Sequence, residues 1–161
     1  MATERERDER GRARNARPRD ELGRPLPRGA VGVARVPDDL VLPPLLSLAE
    51  AQRLLDAGLP FHAHEVLEAT WKAAPADERE LWQGLAQLAV GWTHLLRGNP
   101  TGATTLLQRA RRRVALYAEA PPHQIDVDGL LAWCDAVLEA LASTGAATTE
   151  APRLQAAPPP S

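Results

Sequence analysis

The chain has 161 residues, a net charge of −2 and one cysteine, Cys134. A lone cysteine excludes an internal disulfide and fits a reducing cytoplasm. No run approaches the ~18 apolar residues of a membrane-spanning helix, and the N-terminus lacks a signal-peptide core, so a soluble cytoplasmic protein with no membrane contact is expected.

Residues 1–37 hold ten arginines, six acids and four prolines, which gives this segment +4 and leaves −6 for the rest. So little apolar surface cannot offset the entropy of ordering the chain, and a disordered Arg/Pro-rich tail is expected there. The basic charge suggests nucleic acid, but interleaved acids (TERERDER) dilute its field. Lysine occurs only at Lys72, so the arginine richness reads as a codon effect and nucleic acid is not an expected partner. From 143 to 161 the sequence is Ala/Thr/Pro-rich, and a second disordered tail is expected. Residues 38–142 remain as one all-α domain, a single compact bundle of about five helices.

Helical spacing recurs throughout that domain, and β-branched runs are absent. The first helix is expected from Pro44 to Ala57, with Gly58 as its stop. Pro60 opens a second helix reaching Ala73. Pro75 interrupts the pattern, and Asp77 is placed to cap a third helix from Glu78 to Arg97. Gly98-Asn99-Pro100 is a break, with Asn99 as a turn residue. A fourth helix follows over 101–119, ended by Pro121-Pro122, and Asp126 or Asp128 starts a fifth that reaches Ala142. Short connections imply antiparallel neighbours.

The second helix carries the stretch FHAHEVLEATW. At about 100° per residue, His64, Glu68, Trp71, Phe61 and Leu67 share one face, Glu65 lies at its edge and His62 points nearly opposite. The expectation is that His64 and Glu68 sit one turn apart among core groups, where buried polar atoms need partners. The third helix is apolar on Leu81, Trp82, Leu85, Ala89, Trp92 and Leu96. Its other side carries Gln83, Gly84, Gln87, Gly91 and His94. Each mid-helix glycine costs ~1 kcal/mol relative to alanine, so two glycines seven apart argue for a closely approaching helix rather than a wet face. If that neighbour is the second helix, Gln87 and His94 meet His64, Glu65 and Glu68 in a polar cluster.

FHAHEVLEATW followed by LWQGLAQLAVGWTHLLRGNPTGA resembles the small bacterial proteins of the domain of unknown function 309 family. His64, Glu65, Glu68 and Trp71 stand at the family's motif positions, as do Gln83, Gly84, Gln87, Gly98, Asn99 and Gly102. The resemblance covers residues 45–140. It implies an all-α fold and a set of residues acting together, and it implies no activity.

Two kinds of function fit these residues. The first is a non-enzymatic structural or interaction module. In it His64, Glu68 and Gln87 form a satisfied network fixing helix register, and the bundle surface binds a protein partner or its own copy. The alternative is a divalent-metal protein or metal-dependent hydrolase. Zinc peptidases use H-E-x-x-H; here the second imidazole is replaced, giving His64-Glu65-x-x-Glu68. His64, Glu68 and His94 are then the candidate metal ligands, and Glu65 and Glu68 the candidate catalytic carboxylates. No nucleophile stands out, since Cys134 sits in an apolar helical pattern that suits packing. The four tryptophans, Trp71, Trp82, Trp92 and Trp133, read as core residues. Arg109, Arg112 and Arg113 share one side of the fourth helix, and without interleaved aromatics they read as a solvated face.

Overall fold

The computed structural model describes residues 41–156. Five α-helices account for most of them: α1 (Pro44–Asp56), α2 (Pro60–Ala73), α3 (Arg79–Leu96), α4 (Pro100–Ala115) and α5 (Val127–Thr144). No strand occurs among the described residues, and single 3-10 turns precede α3 and α5. The expected disordered tail at 1–37 lies outside the described residues, as do 157–161.

The helix boundaries follow from proline and glycine punctuation. Gly58-Leu59-Pro60 and Gly98-Asn99-Pro100 are built alike. Each glycine takes φ +75°, the left-handed conformation that a side chain disfavours. The residue after it closes the old helix, with Leu59 N–H donating to Leu54 O at 2.9 Å and Asn99 N–H to His94 O at 2.9 Å. These six-residue closures satisfy carbonyls that the helix end would otherwise leave orphaned. Proline then opens the next helix at a position where its missing N–H costs nothing.

Two boundaries differ from expectation. Asp77 gives no side-chain cap to α3; Ala76–Glu78 instead forms a 3-10 turn that leads into it. α4 stops at Ala115, short of Pro121, because successive N–H groups switch to three-residue bonds: Leu116 to Arg113, Tyr117 to Val114, Ala118 to Ala115. The Tyr117 hydroxyl then donates to Asp77 O at 2.7 Å and fixes the end of α4 beside the start of α3.

Each helix packs chiefly on its neighbours in the chain, and α3 lies between α2 and α4. That enclosure explains why α3 is buried almost all round, from Leu81 and Trp82 to Gly91, Trp92 and Thr93. The core runs from Leu48 and Leu55 of α1 through Leu67, Leu85 and Leu107 to Leu130 and Val137 of α5. Cys134 is part of it, and burial pushes its thiol up to about 12. Ser47 and Thr70, both buried, share a 2.6 Å hydroxyl bond that joins α1 to α2.

The expectation of a disordered tail from 143 is corrected. α5 continues to Thr144, Gly145 closes it with φ +75°, and the chain returns across the bundle. Leu154 is fully buried, and Gln155 forms an antiparallel bridge with Ile125. Main-chain and side-chain bonds from Gln52, Gln124, Asp126 and Trp133 hold the segment. It is ordered by backbone pairing plus one buried leucine, which an Ala/Thr/Pro composition does not reveal.

Candidate functional site

α2 is covered by α1 and α3, so its buried arc is wide: Pro60, His62, Ala63, Val66, Leu67 and Thr70. This corrects the helical-face expectation. His62, placed opposite the expected core face, is fully buried, while His64, Glu65, Glu68 and Trp71 lie half-buried along the flank. The signal for His62 was present in the sequence, since it stands one turn before Val66 and two before Thr70.

On that flank His64, Glu68 and Lys72 stack at successive turns. His64 Nε2 is 2.7 Å from Glu68 Oε2, and Lys72 Nζ is 2.9 Å from Glu68 Oε1. The His64 hydrogen bond pulls Glu68 down, burial opposes it and Lys72 adds to the lowering, so the carboxyl falls to about 2. The Phe61 ring packs tilted on His64, with centroids 5.4 Å apart, and the Arg97 guanidinium lies 6.0 Å from the Phe61 centroid. His64 Nδ1 is shielded from solvent and has no hydrogen-bond partner among the described residues.

The glycine stripe of α3 does meet a closely approaching helix, and that helix is α4. A Cβ on Gly84 would stand 2.9 Å from Arg113 Cβ, and one on Gly91 would stand 2.7 Å from Leu107 Cδ2. Gln87 and His94 therefore join α4 rather than α2. Arg113 Nε donates to Gln87 Oε1 at 3.1 Å, and the same guanidinium pairs with Glu80. His94 Nδ1 lies 3.1 Å from Asn99 Nδ2. Gly102 N–H donates to Asn99 Oδ1 at 3.1 Å, which fixes the amide orientation, so Asn99 Nδ2 donates and His94 Nδ1 accepts. Burial first, and Arg97 second, lower the His94 pKa, which favours this neutral, accepting imidazole.

The expected meeting of His64, Glu65 and Glu68 with Gln87 and His94 is thus replaced by two separate groups. His64, Glu68 and Lys72 lie along α2; Gln87, His94 and Asn99 lie in the α3–α4 joint. No group of three or more His, Cys, Asp or Glu side chains among the described residues is placed to hold a metal ion. His94, the expected third ligand, has its Nδ1 engaged by Asn99. Gln83 is half-buried and makes no side-chain hydrogen bond among the described residues. The expected arginine face is also divided: Arg113 turns to α3, while Arg109 and Arg112 are exposed; Arg111, outside that face, pairs with Asp135 on α5 at 3.0 Å.

Sequence reasoning missed a third group. His123 Nε2 lies 2.6 Å from Glu78 Oε1, and Trp82 Nε1 donates to the same oxygen at 3.1 Å. Burial raises Glu78, but the bonds from His123 and Trp82 outweigh it and its pKa is lowered overall. His123 and Gln124 both adopt positive φ, 55° and 60°, a conformation that costs ordinary residues ~1–2 kcal/mol each. Nothing in PPHQ except the preceding prolines marks this turn.

Residues 48–106 match the model of a family described as Domain of unknown function (DUF309). Neither the curated proteins nor the solved structures yield a match to the chain. The DUF309 match begins in α1 and ends within α4, so it takes in the His64–Glu68–Lys72 row and the His94–Asn99 joint. Arg113, α5, the His123 turn and the returning C-terminal segment lie beyond it.

Proposed function

We propose that this protein is a non-enzymatic structural and interaction module. In this reading the polar DUF309-motif residues brace the flank of α2 and lock α3 against α4. The observation that carries the reading is the pairwise engagement of those residues. Both oxygens of Glu68 are taken by His64 and Lys72, Gln87 is taken by Arg113, and His94 and Gly102 are both taken by Asn99. Polar groups paired in this way favour one helix arrangement over others. Support for interaction comes from the start of α1, where Val41, Leu45 and Leu46 are each more than half exposed. Such clustering of large apolar groups suits contact with a protein partner or a second copy. No helix among the described residues is long and apolar enough to cross a membrane, and the single cysteine suits a cytoplasmic setting.

One observation favours a second reading, a divalent-metal protein using His64, Glu65, Glu68 and His94, although no three such side chains among the described residues are gathered to hold a metal ion. His64 Nδ1 is a buried ring nitrogen with no hydrogen-bond partner among the described residues. Elemental analysis of protein purified without chelators separates the two readings. Absence of stoichiometric zinc, iron or manganese, with His64→Ala only lowering the melting temperature, is the expected outcome. Stoichiometric metal that disappears in His64→Ala overturns the structural reading.

A further inference from the structure

The groove between α1 and the 123–126 turn holds the chain's own residues 150–156 in the manner of a bound peptide. Gln52 reads the backbone on both sides of Arg153: its Nε2 donates to Pro152 O at 3.1 Å, and its Oε1 accepts from Leu154 N–H at 2.9 Å. Across the groove, Asp126 N–H donates to Leu154 O at 2.9 Å and Ala156 N–H to Gln124 O at 3.0 Å. His123 O accepts from Gln155 Nε2 at 3.0 Å. Trp133 Nε1 donates to Glu150 O at 3.0 Å, and Asp56 lies 3.4 Å from the Arg153 guanidinium. Leu154 is fully buried and Pro152 is buried, while Arg153 between them is exposed. Main-chain bonding with alternate side chains buried is how a groove captures a short peptide, here one that bends at Leu154.

Two features set this segment apart from a structural strand. It is tied to α5 through residues 145–149, whose hydrogen bonds among the described residues are all local, within 140–150. The receiving turn keeps His123 and Gln124 in the left-handed region, and both of their carbonyls accept from the segment. Strain of this kind persists where surrounding contacts over-determine it, and it concentrates at ligand clamps.

We infer that this groove is a peptide-docking site for a Pro-x-Leu-Gln segment of a partner protein, with residues 150–156 as its resident intramolecular ligand. Gln52 supplies sequence-independent recognition of the backbone, the site of Leu154 selects leucine, and Asp56 favours a basic residue between proline and leucine. The tether makes the resident an intramolecular competitor, at an effective concentration set by the short span 145–149. A partner segment then binds only by displacing it. The inference names a partner class within the interaction reading but rests on no DUF309-motif residue. Its failure therefore leaves the elemental-analysis result untouched, and the reverse also holds.

The test places a protease site within 146–148 of the full chain and follows fluorescein-labelled peptide TEAPRLQAA by anisotropy. After cleavage the labelled peptide should bind saturably, be displaced by unlabelled peptide and lose binding when it carries Leu154→Asp. The uncut chain should bind it at least about tenfold more weakly, because the tethered resident competes. Equal binding of the Leu154→Asp peptide, or no binding to the cut chain, overturns the inference. So does an uncut chain that elutes as a dimer with crosslinks between one copy's segment and the other copy's groove, since a second copy is then the occupant. If the cut chain does not stay folded, hydrogen exchange on full-length Gln52→Ala decides. Faster exchange confined to Leu154, Asp126 and Ala156 supports a separable ligand; equal acceleration through α2–α4 overturns it.

Discussion

Gly91→Ala tests the close approach of α3 and α4 by the sign of its effect. At an open helix position, alanine in place of glycine stabilises by ~1 kcal/mol. At Gly91 the added Cβ would stand 2.7 Å from Leu107 Cδ2, 2.8 Å from its Cγ and 3.3 Å from its backbone nitrogen. Comfortable carbon–carbon contact lies near ~3.5–4.0 Å, so the overlap approaches an ångström. Leu107 is fully buried and has no solvent-side rotamer to retreat to, and the backbone nitrogen requires α4 itself to give. Overpacking of this kind costs ~1–3 kcal/mol. With the propensity gain subtracted, the expected loss is about 1–2 kcal/mol, since the backbone contact puts the cost in the upper part of that range. For a domain of this size that is a fall in melting temperature of roughly 4–8 °C, read by circular dichroism at 222 nm. The Leu107→Ala background removes Cγ and Cδ2 and leaves only the 3.3 Å backbone contact, so there Gly91→Ala should cost clearly less, giving a coupling of ~0.5–3 kcal/mol across the pair. A rise in melting temperature for Gly91→Ala in the parent chain would refute the reasoning.

Glu68→Gln should flatten the acid side of the stability profile. Because Glu68 is lowered from 4.5 to about 2 in the folded chain, its contribution is complete above 4.5 and is lost as pH falls toward 2. Discounted for its partial exposure, that contribution is about 1–2 kcal/mol. Urea melts between pH 5 and 2.5 should show the parent losing more stability than Glu68→Gln, and parallel curves would contradict the pairing. Asn99→Ala removes the cap on Gly102 N–H and the donor to His94, and should cost ~1–2 kcal/mol in urea unfolding. Asn99→Asp keeps the cap but faces His94 Nδ1 with a carboxylate. It should raise the His94 pKa in an NMR titration, and an unchanged value would refute the assigned bond. Cys134, buried and pushed up to about 12, should resist iodoacetamide at pH 8 in the folded chain and react on unfolding; prompt native-state labelling would contradict its place in the core.

The five helices were legible because their ends are written in local chemistry. Gly58-Leu59-Pro60 and Gly98-Asn99-Pro100 each state a left-handed stop and a new start, and neither depends on tertiary context. Gly84 and Gly91 announced a close approach for a reason equally local, the absent Cβ. The identity of the approaching helix was not legible, because a rotation diagram gives directions around one axis and names no neighbour. α3 is enclosed by α2 and α4, so both of its sides are interior. The same geometry defeated the reading of α2: facing away from His64 means facing a second covering helix, and His62 is buried for that reason. The segment 150–156 was illegible in a different way. Its order rests on backbone groups bonded to Gln52, Gln124 and Asp126, and main-chain pairing over so short a stretch leaves no periodicity to detect.

The two readings of FHAHEVLEATW now differ over which nitrogen of His64 acts. In the structural reading Nε2 is the working atom, bonded to Glu68, whose second oxygen is closed by the Lys72 ammonium. A cation brought to Glu68 from solvent must displace that ammonium, and Lys72 is exposed enough to leave. The remaining ligands would then have to come from the flank of a single helix, where the only other candidate carboxylate near in sequence is Glu65. A metal held by His64 Nδ1 instead needs ligands on the shielded side of α2. There the expected partner, His94, has its Nδ1 committed to Asn99 on the α4 side of α3. Exchange of His64 for glutamine discriminates by atom. Its amide can donate toward Glu68 but cannot stand in for an imidazole ligand. Retained stability in His64→Gln alongside lost stability in His64→Ala therefore follows from the hydrogen bond and not from a metal.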